Sequence, residues 1–415
     1  MFFIKGNCTM ESKNNSRPIL VLFLTVFIDL LGFGIILPIL PLYAEQFGAK
    51  PNEATLLVAI YSLMQFLFAP VWGRFSDRYG RRPVLLLTLF GSVIAYAGLG
   101  FANSLWMLFL ARSLAGIMAG NISTAQAYIA DITTPTNRAR GMGIIGAAFG
   151  LGFILGPAIG GLLIGSDPDN ANFHLPSLFS GGLSLFALLC ALTLVPESLN
   201  SETKAKMQAN RHRRRRLNLL QLSQRPQFCV LVGIYFFVTF AVAAMDSTLA
   251  LWSKQQLNWG PQQTSYLFAF MGIVSTIVQG GLIGFLKKHF GEIKLLTLGI
   301  LGLGLGLLLI GFSQSLSLLL VATTLVAWGI SVSQPILNSL ISQMTAPEEQ
   351  GQILGIASSC SALARIVGPS WAGISFMKFG SDSPFLSGFL VMIVALVLSL
   401  RVTKSASESN KERIA

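Results

Sequence analysis

Four charged residues stand inside long apolar stretches: Asp29, Arg112, Asp246 and Arg365. A charge at the centre of a bilayer costs about 2.5–3.5 kcal/mol on insertion scales, so each needs a partner or a task. A carboxylate in a cavity of low dielectric can bind and release a proton once per cycle. Asp29 suits that role, because Gly32-Phe33-Gly34 and Pro38-x-x-Pro41 make its helix locally deformable. The alternative is a purely structural helix–helix hydrogen bond. Asp246, in Ala-Ala-Met-Asp-Ser-Thr, either faces the cavity, where it takes the proton or a cationic substrate, or is solvated near the interface. Arg112 is expected in the proton-coupling network near an acid. Arg365 either selects anions, partners Asp246, or snorkels out of the membrane. Gln65, Asn121, Gln334 and Asn338 are polar residues on apolar segments and candidates for the cavity lining.

A second constellation is Gly73-Arg74-Phe75-Ser76-Asp77-Arg78-Tyr79-Gly80-Arg81-Arg82, between the apolar segments Ala54–Trp72 and Pro83–Phe101. Four arginines in so short a connection cannot lie in hydrocarbon, so they mark a tight cytoplasmic turn between two spans. Gly73 and Gly80 permit the reversal. Arg81 is placed to reach Asp77 and, beyond it, Asp131. That cluster would latch the cytoplasmic side shut when the protein opens outward; the plainer alternative is that the charges only fix topology.

The elements that must position these residues follow from composition. The chain has 415 residues, 53% hydrophobic and 11% charged. A soluble domain carries roughly 25% charge, so this is an all-α, polytopic membrane protein. Apolar runs near 18–43, 54–73, 83–102, 104–131, 141–165, 174–195, 227–251, 263–286, 293–313, 315–343, 352–378 and 384–402 give twelve spans. They lack two-residue alternation, and helices satisfy their own backbone in lipid. With the N-terminus inside, 24 lysines and arginines fall on the cytoplasmic side and 3 outside (Lys50, Lys254 and Lys378). Both termini are therefore expected in the cytoplasm of a plasma-membrane protein.

The chain divides into an N-terminal tail (1–17), a six-helix bundle (18–195), a basic linker (196–226), a second bundle (227–402) and a C-terminal tail (403–415). The run Arg211-His212-Arg213-Arg214-Arg215-Arg216 explains much of the net charge of +12 as a topology signal touching anionic lipid headgroups, not as a nucleic-acid site. Either Met1 or Met10 is the start, and the opening residues do not read as a signal peptide. The bundles repeat: Pro135/Pro347, Gly143/Gly355, Gly156-Pro157/Gly368-Pro369 and Gly161/Gly373 are offset by 212, and Gly73/Gly284 and Gly80/Gly291 by 211. A parallel repeat of helical halves points to a secondary transporter.

The motifs resemble the major facilitator superfamily, specifically its twelve-helix drug–proton antiporters. The family signature Gly-x-Leu-x-Asp-Arg-x-Gly-Arg-Arg/Lys is matched at Gly73, Asp77, Arg78, Gly80, Arg81 and Arg82, with Phe75 in place of Leu. The antiporter signature Gly-x-x-x-Gly-Pro-x-x-Gly-Gly is matched at Gly152, Gly156, Pro157, Gly160 and Gly161. Arg112-x-x-Ala115-Gly116 is close to the family's Arg-x-x-x-Gly. Ala59–Leu87 is especially similar to tetracycline–proton exporters. The resemblance implies a cavity between bundles, proton-driven efflux by alternating access, and a monomer. In the fifth span, the glycines make a bare face for tight packing, implied to seal the two halves against proton leak. Tetracycline exporters carry further acids and a histidine where this chain has Ala95, Leu303 and Ser275. A more apolar or cationic compound than chelated tetracycline is therefore expected.

No Walker loop, cofactor motif or catalytic constellation is present, and the four cysteines and three histidines have no metal spacing. An enzyme is not expected. Two rivals to efflux remain: proton-coupled uptake of a metabolite such as a sugar or organic acid, and a non-transporting receptor or scaffold.

Overall fold

The computed structural model describes residues 16–132, 138–165, 171–198, 226–344 and 350–414. Residues 1–15 of the expected tail (1–17), most of the basic linker, 199–225, and the repeat prolines Pro135 and Pro347 lie outside these, as does the side chain of Asn121.

Counting each broken span once, the helices are α1 (Ser16–Ile36, continued by Leu40–Gln46), α2 (Pro51–Tyr79), α3 (Arg81–Gly100), α4 (Leu105–Met118 and Asn121–Ile132), α5 (Arg138–Ile164), α6 (His174–Leu194), α7 (Pro226–Leu257), α8 (Pro261–Ile277, a π-turn at Val278–Leu282, then Ile283–Phe290), α9 (Glu292–Gly311), α10 (Leu316–Gln343), α11 (Gln350–Phe379) and α12 (Ser383–Ile414). Among the described residues, ten helices are long and apolar enough to cross a membrane, and the pair bent by 47° in α1 makes an eleventh. The twelfth is α5, whose described apolar part is Gly150–Ile164.

Proline and glycine set the local departures. The break in α1 falls at Leu37–Ile39, beside Pro38, and Pro41 starts the next helix. Helices run past the ends of their apolar runs, most clearly in α2. It continues through Tyr79, so the turn expected over Gly73–Gly80 is a single residue, Gly80, with φ 120°. Hydropathy marks where hydrocarbon ends; arginines in water allow the helix to continue.

Six helices form each of two pseudo-symmetric bundles. In the first, α1 packs on α5 and α6, α3 on α6 and α4, and α2 on α4; in the second, α7 packs on α11 and α12, and α9 on α10 and α12. The bundles meet through α2 with α11, α5 with α8, and α7 with the short second part of α1. These seams close one side of the molecule, which carries Glu45, Thr55, Lys254 and Gly373. A Cβ on Gly373 would lie 2.1 Å from Thr55 Oγ1 and 2.6 Å from Asn52 Cα. A Cβ on Gly161 would lie 3.0 Å from Ser265 Cβ and from the Tyr266 ring. Lys254 Nζ joins Glu45 Oε2 across the bundles at 2.7 Å. At the opposite ends of α2, α8 and α11, Gly73, Gly284 and Gly355 have open space around them.

Candidate functional site

The open side carries the Arg81 cluster. Gly80 reverses the chain, its N–H donating to Ser76 O at 3.1 Å, and sets Arg81 as the first residue of α3. Arg81 Nη1 donates to Asp77 Oδ1 at 2.7 Å and to Ser76 Oγ at 3.0 Å, and Nε donates to Asp131 Oδ2 at 3.0 Å. The guanidinium is buried while Asp77 stays exposed. Arg74 and Arg78 are exposed, with Arg78 5.3 Å from the centre of the Tyr79 ring. Arg82 Nη2 donates to Leu192 O at 2.7 Å. The contacts expected of Arg81 are thus made. They lie within one bundle, however, and the cluster is complete although the closed side is the opposite one. It braces α2, α3 and α4 against each other and does not span the bundles.

Glu197 was not foreseen. Its carboxylate accepts from Arg81 N at 2.9 Å and Arg82 N at 3.2 Å, so an anion caps the N-terminus of α3. Tyr128 OH donates to Pro196 O at 2.7 Å, and Ser198 Oγ to Asp131 Oδ2 at 3.3 Å. The first residues after α6 are therefore stitched to the cluster. The sequence signal was slight: one acid just after the proline that ends α6.

The second bundle holds a counterpart of opposite sign. Gly291 has φ 74°, donates to Lys287 O at 3.0 Å, and is followed by Glu292, offset by 211 from Arg81. Glu292 pairs with Lys287, accepts from Ser339 Oγ at 2.9 Å and from Gln343 Nε2 at 3.0 Å. Gln343 stands where the first bundle has Asp131.

At membrane depth, Arg112 is fully buried, 4.5 Å from the Tyr61 ring centre and 5.9 Å from that of Phe33. Its Nε and Nη2 have no hydrogen-bond partner among the described residues. Asp29 is buried, and it and Arg112 both lie within electrostatic reach of Tyr61 and Tyr96. A Cβ on Gly32 would come 3.1 Å from Tyr96 Oη, so this glycine lets the ring approach α1 close to Asp29. Arg365, on α11, also reaches Tyr61 from the other bundle. Arg365 Nη1 donates to Ser361 Oγ at 3.1 Å, and Ser361 meets Thr239 on α7 at 3.4 Å. Arg365 does not pair with Asp246: the two stand on different helices, offset by about one turn, and the one bond given for Arg365 goes to Ser361 on its own helix. Gln65 and Gln334 are half-buried and Asn338 exposed, and none of the three makes a hydrogen bond among the described residues.

The α5 glycines divide. Gly152 faces Leu30, Gly156 faces Gly34 and Gly160 faces Ile35, all on α1 of the same bundle. Gly156 would place a Cβ 2.8 Å from Gly34 backbone atoms, a contact that tolerates no side chain. Pro157 sits within this contact, its ring against the same Gly34. The inter-bundle seal expected of the whole motif falls to Gly161 alone.

Comparison with known proteins agrees with this architecture. The model of the Major Facilitator Superfamily matches residues 22–292 and 280–415. The class E tetracycline resistance protein of Escherichia coli is 33% identical over 361 residues, covering 85% of this chain and 86% of its own. Multidrug resistance protein 2 of Bacillus subtilis is 28% identical, covering 94% and 96%. The crystal structure of the human organic anion transporter MFSD10 (TETRAN) has a TM-score of 0.69 at 26% identity, covering 94% of this chain and all of its own. With twelve helices in two repeated bundles and these matches over nearly its whole length, the chain belongs to the major facilitator superfamily and is a multi-pass membrane protein of that transporter family.

Proposed function

We propose that the chain exports a small lipophilic compound in exchange for protons, by alternating access. The observation that carries this reading is the buried pair of opposite charges, Asp29 and Arg112, gathered around Tyr61 beside the seam between bundles. A buried carboxylate that shares two tyrosines with a buried arginine, whose Nε and Nη2 lack a partner among the described residues, has a reason to rearrange when it gains or loses a proton. Tyr61, which also senses Arg365 across the seam, gives that change a route to the other bundle. The Arg81 side is cytoplasmic in this reading, as the lysine and arginine distribution requires, and the Glu45 side is outer. The basic linker and both termini are then cytoplasmic, and the conformation described faces inward. Relatives named for tetracycline and multidrug resistance support export over uptake.

Inverted membrane vesicles test it. Addition of a transported compound releases protons from wild-type vesicles, and Asp29→Asn abolishes that release while leaving compound binding measurable. Intact proton release in Asp29→Asn removes Asp29 from the mechanism. Accumulation of the compound in whole cells, instead of depletion, replaces export with uptake.

A further inference from the structure

We infer that the compound carried is amphoteric, its anionic group seated on Arg365 and its cationic group on Asp246. This rests on the transport reading above and names the substrate class for the same cavity. Four charges lie at membrane depth. Asp29 and Arg112 are buried inside the first bundle, Arg112 behind the Tyr61 ring. Arg365 and Asp246, both in the second bundle, are half-buried and keep exposed surface.

Neither has a counter-ion among the described residues. Arg365 gives one hydrogen bond, to the uncharged Ser361. Its electrostatic neighbours are Tyr235 and Tyr61, and no acid is among them. Asp246 makes no hydrogen bond or ion pair among the described residues. Charges at this depth face a cavity and pair with something, and a protein that merely needed neutrality would have paired these two with each other.

Their placement brings them to the same seam. Thr239 on α7 faces Ser361 on α11. Arg365 is one turn beyond Ser361, about 6 Å along α11, and Asp246 is two turns beyond Thr239, about 10 Å along α7. Both helices run in the same direction, so the charges are offset by roughly one turn on adjoining helices. Seven residues are within about 20° of two full turns, so Asp246 shares the face of α7 on which Thr239 meets Ser361. Asp246 is therefore on the side of α7 turned toward α11. Tyr61 of the first bundle stands across from Arg365, so an anionic group there touches both bundles, and a flat lipophilic body has aromatic surface to lie on. A compound with one charge satisfies one residue and leaves the other uncompensated, which a low-dielectric cavity penalises.

Matched dyes test this. Tetramethylrhodamine carries a carboxylate and a delocalised cation; its methyl ester keeps the cation alone; fluorescein is anionic. Binding to the purified full-length protein is followed by fluorescence anisotropy, with thermal melting as the check on folding. Wild type is expected to bind tetramethylrhodamine at least tenfold more tightly than the ester. Arg365→Gln should erase that difference and leave ester affinity unchanged, and Asp246→Asn should weaken both cationic dyes and spare fluorescein. Equal wild-type affinity for dye and ester, no binding of any of the three, or equal weakening of all dyes in a folded Arg365→Gln variant overturns the proposal. Vesicles that release protons for the ester as readily as for tetramethylrhodamine retain proton-coupled export and end the amphoteric reading. Preferential binding of tetramethylrhodamine without proton release does the reverse.

Discussion

The two bundles solve one problem with opposite charges. At the end of α2, Gly80 turns the chain and hands a buried cation, Arg81, to two carboxylates; at the end of α8, Gly291 turns it and hands an anion, Glu292, to a lysine and two neutral donors. Both glycines occupy positive φ, and each donates its N–H to the carbonyl four residues back. What the repeat preserves is therefore the turn and the tie between its helix and the fourth helix of the bundle. The sign of the tie is free to differ. The difference lies in how much else is attached. Arg81 and Gly80 also meet Glu197, which reaches them from the end of α6, whereas a Cβ on Gly291 would meet nothing within 4 Å among the described residues.

That contrast is broken most severely at Gly80. A Cβ there would lie 2.3 Å from Glu197 Oε2, on top of a backbone conformation that costs about 1–3 kcal/mol for other residues. Gly80→Ala should expel Glu197 from the α3 terminus and lose nearly all transport and much thermal stability. Gly291→Ala meets no atom within 4 Å and should lose only the backbone strain of about 1–3 kcal/mol. Equal melting temperatures for the two variants would mean that the glycines are held alike.

Arginine and glutamate hubs should follow the same order. Removing one partner of a buried pair costs about 3–5 kcal/mol because a charge is left behind. Arg81→Ala strands Asp131, which is largely buried, and Asp77, which water partly relieves. A loss near the lower end of that range is expected in chemical denaturation. Glu292→Gln frees only the half-exposed Lys287 and keeps acceptors for Ser339 and Gln343, so about 0–1 kcal/mol is expected. A larger loss in Glu292→Gln than in Arg81→Ala would reverse the ranking of the two turns.

How much of this could be read beforehand depends on distance in space. The spans, the repeat and the Arg81–Asp77 pair were legible, because hydropathy, fixed offsets and a four-residue spacing are local properties. Arg81 to Asp131 was legible from the place of both at the cytoplasmic ends of their helices, and the resemblance supported it. Gly152, Gly156 and Gly160 show the limit: their period revealed a bare face, but not that α1 fills it, since a glycine carries no information about its partner. Glu197 was hidden because it sits at the margin of a polar linker, where an acid is unremarkable until the helix terminus beside it is placed. Glu292 had a signal, its offset of 211 from Arg81, that the change of sign concealed.

The seams between bundles form a second matched pair. Gly373 of α11 sits against Thr55 and backbone of Asn52, while Gly161 of α5 sits against side chains of Ser265 and Tyr266. Backbone cannot yield as a tyrosine ring can. Overpacking costs typically about 1–3 kcal/mol, and under the proposed alternating access it acts only on the conformation that closes the Glu45 side. Gly373→Val should slow transport at least tenfold with little change in folding, and Gly161→Val severalfold. Cross-linking of cysteines introduced at Glu45 and Lys254, whose side chains meet across the same side, with a short bifunctional reagent would report the lost closure directly. Unchanged cross-linking in Gly373→Val would show that this seam is not the limiting contact.

The smallest effect belongs to Glu45 and Lys254, the ion pair across the same side. Lys254 is half-exposed, and such pairs contribute about 0.2–1 kcal/mol. Under the proposed alternating access the bond exists only while the Glu45 side is closed, so its whole contribution biases one conformation against the other. Lys254→Gln should therefore shift that equilibrium by about 1.4-fold to fivefold toward opening at low salt, and by less at 1 M salt, where the screening length is about 3 Å. Accessibility of a cysteine at Thr55 to a membrane-impermeant thiol reagent measures the shift. A salt-independent change would place the effect in packing of the lysine stem on α1, and the two seams would then differ in shape alone and not in charge.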